Sequence, residues 1–315
     1  MNTSRPLKHH LIKLTMVSSK IRLPLKLRDL PTAIIYLAPS LVVFSVFVFF
    51  PLVFTIYLSF HKWNLISPKK TFIGFGNYIQ VFTEDPLFIK VLWNTTVFSV
   101  VVVLATLIFG LILALILNRE IAGKSFYRAG IFMPYVTSAA AMALVWLWIF
   151  DPIYGLFNSV LRVLGINGPA WLASVDWALP ALIIMTIWRF TGYSMLLYIG
   201  GLQNLSNEIR EAAIVDGATG WKLFWSVTFP LLSPTTFFIT ITSLITMFQN
   251  FETVYVMTRG GPVDSTNMIV FYLYQNAFEF FEAGYASAIA FVLFIVVVSL
   301  TALQFRVQRK WVHYE

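Results

Sequence analysis

The chain has 315 residues, of which 58% are hydrophobic and only 11% charged, and its mean hydropathy is +0.78. Soluble domains carry about 25% charged residues, so this composition excludes an ordinary soluble domain and points to a polytopic membrane protein. With no cysteine there is neither a disulfide framework nor a thiolate metal site. The four histidines (His9, His10, His61, His313) lack ligand spacing with a carboxylate, so no metal site is expected. The net charge of +8 comes mainly from the N-terminal arm and reads as topology and lipid contact, not nucleic-acid binding.

Six stretches reach the roughly 20 apolar residues that span a bilayer: 35–60, 93–117, 127–150, 178–202, 229–257 and 284–304. They are expected to be helices, because a lone strand leaves its backbone unsatisfied in lipid. The fold class is therefore all-α with six transmembrane helices. Residues 1–34 form a basic cytoplasmic arm with Asp29 as its only carboxylate and apolar residues at Leu7, Leu11, Leu14 and Val17. That spacing suits a helix lying on the membrane surface. Residues 35–92 carry the first helix and an outer loop with a turn at "GFGNY" (74–78). Residues 93–305 form the core, and 306–315 a cytoplasmic tail. "GLFNSVLRVLG" (155–165) predicts a short interfacial helix. With both ends inside, the inner segments hold 15 Lys and Arg against 6 outside, which favours the N-in, C-in orientation.

The inner loop 203–228 is polar in an otherwise apolar chain. Ser206 can cap a helix from Asn207, with Glu208 favourable in its first turn. Ile209, Ala212 and Ala213 share one face, and Gly217 is placed to stop the helix. Thr219 can start a second short helix over 220–228, with Pro230 and Pro234 near the start of the next membrane helix. The small alanine face and flanking charges suit docking into a groove of another protein. A loop merely resting on the headgroups fits the same residues.

"EAAIVDGATGWKLFWSVTFP" (211–230) resembles the EAA signature of binding-protein-dependent ABC importer permeases. Glu211, Ala212, Ala213, Gly217, Val227, Phe229 and Pro230 stand at its spacing, with Val and Phe where Ile and Leu are usual. "GGLQNLSNEIREAA" (200–213), "TRGGP" (258–262) and "AGYASAIAFVLF" (283–294) resemble the carbohydrate-type branch, similar to maltose and glycerol-phosphate permeases. The resemblance runs from Leu30 to the C-terminus. It implies the type I importer fold and a bacterial or archaeal cell membrane location. It also implies that Glu211, Ala212, Ala213, Asp216 and Gly217 form the coupling helix seated on an ATP-binding subunit. The expected partners are a second homologous permease, two ATP-binding subunits, an extracytoplasmic solute-binding protein, membrane lipids and a sugar-like substrate.

No cofactor is expected on this chain; ATP and Mg belong to the partner subunits. "AGKS" (122–125) mimics part of a phosphate loop, but Asn118 stands where its first glycine is needed. The alternative is an ion-coupled secondary transporter, which commonly places carboxylates within the membrane. Only Glu252 falls inside the six stretches, near the outer end of the fifth. Arg189 lies well inside the fourth, where insertion costs about 2.5–3.5 kcal/mol. It is expected to line the pathway or a subunit interface, or else to bond backbone carbonyls. Neutral polyols need hydrogen-bonding groups beside aromatic faces. Thr186, Phe190 and Tyr193 share one face of the fourth helix, and Ser243, Met247 and Asn250 one face of the fifth, with Gln249 beside them. These positions also correspond to sugar contacts in maltose-type permeases. Gly260, Gly261 and Pro262 are the candidate contact for the binding protein, and a tight turn alone also accounts for them.

Overall fold

The computed structural model describes residues 30–312. The expectations for the arm (Leu7, Leu11, Leu14, Val17), for His9 and His10, and for His313 lie outside them. The described residues fall into two compact units, one ending at Leu52 and one beginning at Val53. In the first, a helix over Leu30–Phe44 continues into a π turn at Ser45–Phe49. Its apolar side chains, such as Tyr36, Val42 and Phe47, are largely exposed. A helix that is apolar all round suits lipid rather than water.

Four helices are long and apolar enough to cross a membrane: Ile34–Ser59, Pro86–Leu117, Ala178–Gln203 and Ala283–Arg309. Two further stretches are bent pairs, Lys124–Val136 with Ala139–Ile149 at 98° and Gly220–Leu231 with Ser233–Phe248 at 59°. Counting each pair as one crossing gives the six expected spans. The third and fifth stretches are thus not single helices. In the third, Pro134 lies near the helix end and Thr137 and Ser138 are extended. In the fifth, Pro234 opens the second helix, where its ring cannot continue the ladder from the preceding turn. The fifth stretch breaks again after Phe248, and Glu252 begins a separate short helix, Glu252–Met257. Glu252 is therefore not inside a long membrane helix, as its position in the apolar stretch had implied. At the other end of the chain, the segment read as a tail from 306 continues the last helix to Trp311. Arg306 and Arg309 near that helix end complement its dipole.

Asp85 starts the second span. It precedes Pro86, which tolerates the first helical position, and its Oδ1 accepts from the amides of Leu87 and Phe88 at 3.0 and 3.2 Å. Its Oδ2 accepts from the Tyr272 hydroxyl at 2.6 Å and the Tyr285 hydroxyl at 2.5 Å. One carboxylate thus ties the second span to the sixth and to a helix at Ile269–Tyr274. That short helix sits in the segment read as an outer loop, yet Met268, Ile269 and Phe271 are fully buried. Burial and the hydrogen bond to Asp85 hold the Tyr272 phenol well above its ordinary pKa.

Between helices in lipid the hydrophobic drive is weak, and close approach of small residues takes its place. An added Cβ on Gly110 of the second span would lie 2.6 Å from Ser194 Cβ of the fourth. One on Gly192 would lie 2.2 Å from the Ile131 carbonyl oxygen of the third. The main core therefore forms between the second, third, fourth and fifth stretches, around Phe98, Leu182, Met185, Phe190 and Met247, and Phe271 of the short helix packs into it. Hydroxyls within the spans, including Thr95, Thr186 and Thr191, donate to the carbonyl four residues earlier. These hydroxyls are satisfied within their own helix, whereas the buried hydroxyls of Ser99 and Ser194 make no hydrogen bond.

Candidate coupling loop and membrane pathway

The polar loop folds as Asn207–Val215 followed by a helix from Gly220. Ser206 occupies the N-cap in an extended conformation, but its side chain makes no cap bond. The C-terminal stop forms as expected. Gly217 has φ +82°, its amide donates to the Ile214 carbonyl (3.0 Å), and the Ala218 amide reaches back to the Ala213 carbonyl (2.8 Å). These are the paired bonds of a Schellman motif. Glu211, Ala212, Asp216 and Gly217 are exposed, Ala213 is half-buried, and the helix has no buried residue. Ile209, Ile214 and Val215 are also exposed. A nine-residue helix without a buried face is marginal by itself, so this loop presents an uncovered surface.

The second predicted helix is longer than 220–228. It runs from Gly220 through a π turn at Phe224–Thr228 to Leu231. Trp221, Phe224, Trp225 and Phe229 contact one another ring to ring along it. A cleft lined by Asn118, Ser206, Asn207, Arg210, Val227 and Leu231 shows that the end of the second span, the polar loop and the start of the fifth stretch meet at one end of the bundle. Arg128 fixes the neighbouring connection by donating to the Leu117 carbonyl at 2.7 Å. Lys124 of "AGKS" pairs with Glu120 at 3.0 Å.

The "TRGGP" turn lies at the opposite end of the second span. Lys90 Nζ donates to the Val263 carbonyl (2.6 Å), and Asn94 donates to the carbonyls of Asp264 and Asn267 (3.0 and 3.1 Å). Gly260 is buried, while Gly261 and Pro262 are half-buried. The residues the turn shows to solvent are Arg259 and Val263. The helix predicted around 155–165 is present as Leu156–Val163, with Leu156, Val160 and Leu164 exposed. Its buried Asn158 accepts from the Trp171 indole at 2.7 Å. Beside it, the Asp151 carboxylate accepts from the amides of Tyr154 and Ile153, which hold its pKa below the usual value.

In the middle of the bundle the fourth-span residues are brought together only in part. Thr186, Ser243 and Met247 are buried, and Phe190 and Met247 share the main core. Gln249 is exposed. Asn250 donates to Thr253 Oγ1 at 3.3 Å, and its own carbonyl oxygen is buried without a partner. Among the described residues no hydrogen bond joins Gln249 or Asn250 to the fourth span. Tyr193 instead stacks on Tyr135, with ring centroids 4.8 Å apart and planes at 23°, and Tyr135 packs edge-on to Phe190 at 5.4 Å. Tyr135 carries no sequence signal. It lies in the helix Lys124–Val136, one turn after Ile131, on the face that meets the fourth span. Arg189 lies beside this cluster, over the Phe190 ring at 5.3 Å, and Nη2 approaches the Thr137 carbonyl at 3.5 Å.

The sequence model described as "Binding-protein-dependent transport system inner membrane component" matches residues 106–313. The chain belongs to this family of ABC transporter permeases. The permease is 35% identical to the sulfoquinovosyl glycerol transport system permease protein SmoG of Agrobacterium fabrum, over 90% of this chain and 92% of that one. It is likewise 35% identical to the sn-glycerol-3-phosphate transport system permease protein UgpA of Brucella abortus, over 88% and 94%. Its fold matches a chain in the crystal structure of a bacterial alginate ABC transporter bound to its pentasaccharide-loaded periplasmic protein. The TM-score is 0.77 and the identity 21%, over 90% of this chain and 95% of that one. The mostly helical architecture of a type I importer permease, with four to six candidate membrane spans, is thereby shown for this membrane protein.

Proposed function

We propose that this permease forms part of the path by which a sugar or related polyol enters a bacterial or archaeal cell, driven by ATP hydrolysed on separate subunits. The observation that carries the reading is the uncovered helix Asn207–Val215, closed by Gly217 in a left-handed conformation. A polar helix with exposed Ile209, Ile214 and Val215 at one end of an apolar bundle is built to be covered by another protein. Its occupant on this reading is one of two ATP-binding subunits. A second permease, a solute-binding protein at the "TRGGP" end and the surrounding lipid complete the assembly. The substrate class follows from relatives named for glycerol compounds and from the aromatic pair Tyr135–Tyr193, whose faces suit the apolar side of a polyol or sugar ring.

The chain's own contribution is mechanical. The loop is continuous with the fourth span through Gln203 and with the bent fifth pair through Gly220. A push on the loop therefore reaches both helices that hold the candidate pathway residues. Coupling of this kind needs a two-state element biased at both ends, and the bends at 98° and 59° are the natural places for it to flex. Purification of the tagged permease from native membranes tests the reading. An ATP-hydrolysing chain should copurify, and Glu211→Lys should lose it or its activity. Uptake that persists without ATP but collapses with a protonophore would establish the secondary-transporter alternative instead.

A further inference from the structure

The fourth span carries a half-buried cation whose hydrogen-bonding capacity is largely unused. Arg189 is the twelfth of 26 residues in the fourth span. A guanidinium has five N–H donors. Here one nitrogen approaches the Thr137 carbonyl at the outer limit of a hydrogen bond, 3.5 Å, and Nε is buried with no acceptor. Glu252 is near enough for its charge to act on the guanidinium, yet the pair does not close to an ion pair. Among the described residues the salt bridge is Lys124–Glu120. The guanidinium rests on the Phe190 face, next to the stacked Tyr135 and Tyr193. It also stands between two breaks, the extended Thr137–Ser138 elbow and the end of the fifth pair before Glu252.

An aromatic platform beside an under-used guanidinium is a composite recognition surface. The rings accept the C–H face of a sugar or polyol. The planar fork of the guanidinium accepts two oxygens of a carboxylate, sulfonate or phosphate in parallel. We infer that Arg189 selects substrates carrying an acidic group, with Tyr135 and Tyr193 holding the polyol part against it. This rests on the importer reading above and narrows its substrate class from sugars and polyols to their acidic derivatives.

The test uses proteoliposomes holding the permease with the subunits that copurify with it, its binding protein and enclosed ATP. They are offered a mixture of acidic and neutral compounds: sn-glycerol 3-phosphate, glycerol, a sulfonated glycosyl glycerol, its glucosyl counterpart, glucuronate, maltose and alginate oligosaccharides. Mass spectrometry identifies what accumulates. The inference expects only acidic members, and an uptake loss of about tenfold or more in Arg189→Gln, as removal of a charge-assisted hydrogen bond implies. Because the chain has no cysteine, Arg189→Cys gives a second, chemical readout. A cationic methanethiosulfonate should restore uptake of the acidic substrate, and a neutral reagent should not. Accumulation of neutral members, unchanged uptake by Arg189→Gln, or equal restoration by both reagents overturns the inference. Failure of the unmodified assembly to accumulate any solute or to hydrolyse ATP refutes the importer reading beneath it, and the inference falls with it.

Discussion

Replacement of Gly217 isolates the backbone requirement of the proposed coupling helix. An added Cβ would meet nothing within 4 Å, so Gly217→Ala introduces no clash, and its cost is conformational. At φ +82° an L residue with a Cβ pays about 1–2 kcal/mol. That lowers the ratio of closed to frayed helix end about 5- to 30-fold. Asparagine tolerates the left-handed region better, so Gly217→Asn should fall between glycine and alanine. Proline cannot adopt this φ and deletes the amide that donates to the Ile214 carbonyl at 3.0 Å, at a cost of about 3 kcal/mol or more. The assay is uptake per inserted transporter, together with ATPase stimulation by loaded binding protein in the reconstituted assembly. Both should fall in the order Gly, Asn, Ala, Pro, while the amount of chain in the membrane stays level. Alanine and proline variants that couple as well as the parent would refute the claim that a rigid helix end transmits the motion.

Tyr193→Ala and Tyr135→Ala each remove one ring of the stacked pair and should slow uptake about 2- to 12-fold, the worth of an aromatic contact of about 0.5–1.5 kcal/mol; normal transport kinetics in both would reject the pathway role. Gly192→Ala forces a methyl against the Ile131 carbonyl oxygen and should destabilise the fold by about 1–3 kcal/mol, seen as earlier thermal aggregation in detergent; an unshifted transition would contradict the close approach of the third and fourth stretches. Asp85→Asn weakens the bonds from Tyr272 and Tyr285, each charge-assisted bond being worth about 1.5–3 kcal/mol; faster proteolysis between residues 258 and 283 is expected, and an unchanged cleavage rate would show that the carboxylate does not hold that segment.

The spans were legible because lipid imposes a length and a polarity that composition reports directly. The end of the helix Asn207–Val215 was legible for a local reason: Gly217 is the residue a left-handed stop requires, and the two returning bonds involve only its neighbours. The breaks were less so. Thr137 and Ser138 interrupt an apolar run with two small hydroxyls, which periodicity does not register, and Pro134 lies three residues before the turn it accompanies. The break after Phe248 did leave a trace in Gln249 and Asn250, but the apolar run resuming at Val254 masked it. Residues whose roles depend on pairing across helices left no local trace. Tyr135 meets Tyr193 through tertiary packing, and Asp85 finds Tyr272 and Tyr285 nearly two hundred positions away. The helix Ile269–Tyr274 reads as a loop because six residues cannot span a membrane, although they can fill a core.

The central claim is that the loop after the fourth span is the seat of an ATP-binding subunit. Its most direct test is site-specific crosslinking from Ala213→Cys in native membranes, in this cysteine-free chain, with mass spectrometry of the captured partner. The account predicts capture of an ATP-binding subunit, with a yield that changes with nucleotide. Capture of lipid or unrelated chains alone, from a properly inserted permease, would contradict it.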